Sequence, residues 1–164
     1  ARADMEARAW LRWLAVTDYD YKDGLVKVDS TLQADSISAS KLLWTLGNFP
    51  RFIRPGFQRI ETDLISQALR AGAASALLVS SYVSNTGSDW TTVIVNLSDT
   101  SQHVRVELES TVTKSVLPTA AIEWDIHLTN AHNNLTWVGR TNKGKVTLPA
   151  RSVATLTRSK QREG

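Results

Sequence analysis

At Pro55-Gly56 the sequence changes period, and that change restricts the fold more than any other feature. Upstream, within residues 41–61 (KLLWTLGNFPRFIRPGFQRIE), Leu42, Leu46, Phe49 and Ile53 fall at helical spacing and form one apolar stripe. Asp35 or Ser36 is placed to cap that helix. Pro50 loosens its last turn, because proline lacks the N–H that a helix needs, and Pro55-Gly56 ends it. Downstream of Phe57 the period becomes two. Ile122, Trp124, Ile126 and Leu128 alternate with Glu123, Asp125 and His127, and Val104, Val106 and Leu108 alternate with His103, Arg105, Glu107 and Glu109. Val93, Val95 and Leu97 follow the same rhythm, as do Val146 with Leu148 and Ala154 with Leu156. Turn-prone segments separate them at residues 84–89, 130–134 and 142–144. Short alternating strands at this spacing predict an antiparallel sandwich.

The N-terminal third follows other rules. Residues 9–16 (AWLRWLAV) are apolar almost throughout and end at Thr17-Asp18, the pattern of a strand buried on both faces. A helix precedes it up to about Ala7. Residues 24–29 (GLVKVD) alternate and predict a short strand. Residues 63–76, rich in alanine, read as a strand-to-strand connection with local helix.

Composition bounds the function. A chain of 164 residues holds one domain with a real core. Its net charge of +3 is scattered, with a local cluster only at Arg51, Arg54 and Arg59, so neither a nucleic-acid stripe nor a recognition motif is present. No apolar run is long enough to span a bilayer. The absence of cysteine excludes disulfide and cysteine-zinc frameworks. Nucleic acid and membrane are therefore not expected partners, and no cofactor is expected.

Taken in order, AWLRWLAV, the Asp/Tyr loop, GLVKVD, the 41–61 segment and VTLPARSVATLT resemble the end of glycoside hydrolase family 30, nearest its fungal endo-β-1,6-galactanase type. The resemblance implies a mainly β fold. Residues 57–164 would be an antiparallel β-sandwich side domain, and residues 1–56 the last strand and helix of a (β/α)8 barrel. It implies a secreted β-glycan hydrolase as parent, and a chain that is a fragment of it. Trp13 matches an aromatic residue lining the family's sugar subsite, although Leu14 stands where a Gln or Asn is usual. The resemblance places the family's two catalytic glutamates upstream of Ala1, so no catalytic residue is expected in this chain. Its expected partners are the barrel or, failing that, another copy of itself through residues 9–16.

Other constellations are weaker. His127, Asp125 and Glu123 share a strand face near His132, but outward polar residues give that pattern without any metal, and no metal site is expected. Of the six tryptophans, Trp13, Trp44 and Trp124 sit on apolar faces. Trp90 and Trp137 flank turns, where an exposed ring can stack on a sugar. They carry the rival reading of a freestanding carbohydrate-binding module or lectin. Asn96-Leu97-Ser98 and Asn134-Leu135-Thr136 are glycosylation sequons, usable in a secreted glycoprotein.

Overall fold

The computed structural model describes residues 11–12, 14–18, 22–29, 37–65, 75–109, 123–142 and 144–159. The predicted helix before Ala7, the side chain of Trp13 and most of the 63–76 connection lie outside these residues. By contacts the chain divides into two compact units, Ala1–Leu46 and Gly47–Gly164.

The first unit carries a three-stranded sheet in the order β1 (Val16–Asp18), β2 (Val26–Val28), β3 (Ile37–Ala39). Strands β1 and β2 run parallel, and β2 pairs antiparallel with β3. The strand expected over residues 9–16 is displaced to Val16–Asp18, and Leu11 is 98% exposed. Pairing with Val26–Val28, rather than the apolar run itself, decides which residues extend. Helix α1 (Lys41–Gly47) starts directly after Ser40. The expected cap at Asp35 or Ser36 comes too early, because Ile37–Ala39 are drawn into the sheet. The helix also stops early, at Gly47. Pro50 cannot donate to a helical ladder and disfavours helix in the residue before it, so the chain continues in turns bonded from Arg51 to Gly47 and from Ile53 to Phe49.

The second unit is the sandwich. Its larger sheet has six strands, in the order β4 (Gln58–Ile60), β5 (Leu77–Val83), β6 (Asp89–Asn96), β11 (Ser152–Ser159), β8 (Trp124–Thr129) and β9 (Thr136–Thr141). All its pairings are antiparallel. The second sheet pairs β7 (Gln102–Arg105) with β10 (Lys145–Leu148), also antiparallel. Between the sheets lie Ile94, Leu108, Trp124, Leu128, Val146, Leu148, Ala154 and Leu156, with Val104, Val106 and Ile126 among those packed against them. The alternation in β7, β8, β10 and β11 therefore points inward as the sequence predicts.

Strand β6 departs from that prediction. Its core residue is Ile94, paired with Ala154, while Val93 and Val95 face the other side of the sheet, and Leu97 is 47% exposed beyond the strand end. Thr91 to Ile94 are all buried, so this central strand is covered on both faces and alternation cannot reveal which side is core.

Candidate functional site

The face of the six-stranded sheet that looks away from β7 and β10 is built of cross-strand rows. One row is Ser80, Val93, Thr155, His127 and Trp137; the next is Tyr82, Thr91, Thr157, Asp125 and Arg140. Residues 47–53 cover the middle of this face.

Asn48 is the anchor, with no exposed surface. Its amide donates to the Thr129 hydroxyl at 2.9 Å, and its side-chain oxygen accepts from the Thr155 hydroxyl at 2.8 Å. Thr129 Oγ1 also accepts the backbone N–H of Leu135 at 3.0 Å. Gly47 fits tightly beside it: a Cβ there would stand 3.3 Å from a methyl of Leu135, which is buried and held at φ 54°. The Thr91 hydroxyl donates to the Phe52 carbonyl at 3.2 Å, and the Phe52 ring lies 4.6 Å from the His127 imidazole. His127 is thus half-buried rather than outward-facing as its alternation suggests, and its Nδ1 is buried without a hydrogen-bond partner. Burial, and then the nearby Arg51 cation, push its pKa down, while Asp125 opposes them.

Beyond this cover the rows emerge at the edge strand. Between β8 and β9 the register slips, so that Ile126 faces Gly139 but His127 faces Trp137. Val138 is the extra residue, and Gly139 supplies the φ of 133° next to it. The slip sets Trp137 and Arg140 on one face, three positions apart, where a regular strand would oppose them. Trp137 is 56% exposed. Its indole N–H donates to Asp125 Oδ1 at 2.9 Å, and Arg140 Nε donates to the same oxygen at 2.8 Å. Arg140 also reaches Glu123 at 3.6 Å. The Arg140 hydrogen bond is the main reason that the Asp125 carboxyl is held below the usual carboxylate range; burial opposes it and the Trp137 N–H assists.

The other expected residues fare differently. Trp90 is half-buried, packed against the core cluster, with its N–H bonded to the Gly87 carbonyl at 3.0 Å. That leaves it a structural residue rather than a free stacking ring. Asn96 is buried, donating to the carbonyls of Thr100 and Pro149 and accepting from Ser98 N and Oγ. A glycan on Asn96 would destroy that set of bonds, so in this fold it ties loops together instead of carrying sugar. Asn134 is exposed, with the Thr136 hydroxyl accepting its backbone N–H at 3.3 Å.

Glu107 pairs with Arg105 at 2.9 Å, and Glu109 and Glu123 are exposed. Among the described residues no group of three His, Cys, Asp or Glu is arranged to hold a metal ion. Sequence reasoning missed Asn48 and Arg140. An asparagine interrupting the 41–61 apolar segment is a signal for the first; the second is concealed by the bulge, which breaks the alternation used to find faces.

No protein-family model matches the chain. Among solved structures it is similar to a conserved exported protein from Bacteroides fragilis, at 28% identity and a TM-score of 0.64, over 87% of this chain and 28% of that one. It is also similar to a GH30 endoxylanase from Clostridium papyrosolvens C71, at 18% identity and a TM-score of 0.56, over 81% of this chain and 30% of that one. A third is a glycoside hydrolase family 30 subfamily 8 xylanase from Clostridium acetobutylicum, at 17% identity and a TM-score of 0.59, over 85% of this chain and 31% of that one. The fold is therefore glycoside-hydrolase-like. The chain spans less than a third of the length of each of these structures.

Proposed function

We propose that this chain is the non-catalytic C-terminal region of a secreted, family-30-type β-glycan hydrolase, and that its sandwich stabilises the catalytic barrel. The observation that carries this reading is the buried anchor at Asn48. A domain that only tethered an enzyme would need a linker at this point. Here the residue that follows helix α1 is instead locked into β8 and β11 by three side chains that satisfy one another. Such a lock seats the first residues of the second unit firmly on their own sheet, the rigid base that a stabilising domain needs. The resemblance of residues 41–61 to the family's barrel–sandwich junction supports the same reading, as does the share of the xylanases that the fold covers. Export is supported by the description of the B. fragilis protein as exported. Among the described residues no helix is long and apolar enough to cross a membrane.

The coding sequence upstream of Ala1 provides the first test: it should supply a barrel with two glutamates on its fourth and seventh strands. The second is Asn48→Ala in that longer protein, which should lower the temperature at which hydrolysis is lost while leaving kcat below that temperature unchanged. A start codon directly before Ala1, or an Asn48→Ala enzyme of unaltered thermal inactivation, would overturn the proposal.

A further inference from the structure

We infer that Trp137, held by Asp125 and Arg140 on edge strand β9, is a binding platform for one sugar residue of a neutral β-linked polysaccharide.

Three properties of the surface point to this. The ring is presented: it is 56% exposed, whereas Trp124 is 1% exposed in the core and Trp90 is packed against it. It is also oriented, since its N–H is bonded to a carboxylate oxygen that Arg140 in turn fixes at 2.8 Å. A ring set in advance loses little freedom on binding. The bulge at Val138 is what makes that geometry available at this spacing, because three positions along a regular strand Arg140 would lie on the opposite face from Trp137.

The chemistry of the rim selects the ligand. A pyranose offers a C–H-bearing face that packs on an indole, ringed by hydroxyls that both donate and accept hydrogen bonds. Beside Trp137 stand the Asp125 carboxylate, an acceptor that already takes the ring N–H, and the exposed Arg140 guanidinium, a donor whose contact with Glu123 is a long 3.6 Å. Charges of both signs flank the ring, so a strongly anionic or cationic ligand meets a like charge, and an uncharged polyol meets none. The restriction to β-linked glycans rests on the function proposed above; the platform itself does not.

Affinity electrophoresis under native conditions tests the inference, with the whole chain run in gels containing soluble neutral xylan, a soluble mixed-linkage β-glucan, or α-linked dextran. Retarded migration is expected in at least one β-glycan gel and not in dextran. In Trp137→Ala retardation should fall at least tenfold, with Trp137→Phe retaining part of it. An unchanged far-UV spectrum and melting midpoint would show that each variant is folded, and the exposure of Trp137 makes that the expected result. Unretarded migration of the natural chain in every gel overturns the platform, as does a Trp137→Ala chain retarded like the natural one. Equal retardation in dextran overturns the β-linked specificity. None of these outcomes bears on the barrel-stabilising role, which the Asn48→Ala enzyme decides separately.

Discussion

Single residues carry much of what is specific to this fold. In the isolated chain, Asn48→Ala would leave the hydroxyls of Thr129 and Thr155 buried with fewer partners, and each such loss costs about 1–3 kcal/mol. A drop of about 2–3 kcal/mol in unfolding free energy is expected by urea titration. His127 makes a separate, pH-dependent contribution. Its folded pKa is depressed, so the unfolded chain binds the extra proton first, and stability must fall as pH drops below the ordinary imidazole value of about 6.5. The loss is complete once pH has passed below the folded value. Arg51 and Asp125 are the charges that act on the ring, and burial is the larger cause. His127→Phe should flatten that part of the stability profile, measured by melting at stepped pH between 7 and 5; a slope that survives the substitution assigns it elsewhere. Asn48 was signalled only as a polar break in the apolar 41–61 segment, and the covered state of His127 was not legible at all. Alternation placed His127 outside because it sees only the strand, and the Phe52 ring that covers it arrives from a segment distant in the chain.

At the level of elements, what could be read in advance depended on how many faces each strand buries. Strands β7, β8, β10 and β11 bury one face in the sandwich core, so their alternation was legible. The doubly covered β6 misled, with Val93 and Ile94 both buried. Strand β9 has strand-forming residues but carries Trp137, Val138 and Arg140 all exposed, so it shows no one-sided alternation to read. The helix was legible in kind but not in extent, since Ile37–Ala39 were lost to β3 and Pro50 cut the end. One glycine shows how tightly the smaller sheet is joined. Gly144 leads into β10 at φ 63°, and a Cβ there would overlap the Val106 carbonyl while the Val106 N–H donates to the Gly144 carbonyl at 2.9 Å. Gly144→Ala should therefore cost more than about 1 kcal/mol and loosen the β7–β10 pairing, visible as faster amide exchange in Lys145–Leu148.

For the molecule as a whole, the described strands share the sandwich unequally, six in one sheet and two in the other. The first unit exposes Leu11 and Val16, at 98% and 58%, beside the edge strand β1. Exposed apolar side chains beside an open strand favour association, so the chain alone should run as a dimer or larger in light scattering. A clean monomer with a cooperative melt would sink that expectation. If the proposed non-catalytic role holds, the same preparation should release no reducing sugar from xylan, since such hydrolysis needs a pair of carboxylates flanking one glycosidic bond. The far end of the large sheet behaves differently. At β9 the extra Val138 interrupts the even ladder that another strand would need to copy, and the Arg140–Asp125 pair adds charge there. The irregularity beside Trp137 therefore also blunts the sheet against growing by one more strand. A chain from which Val138 was deleted would keep Trp137 opposite His127 and Arg140 opposite Asp125, so it would keep its presented ring and lose only its protection against further strand pairing.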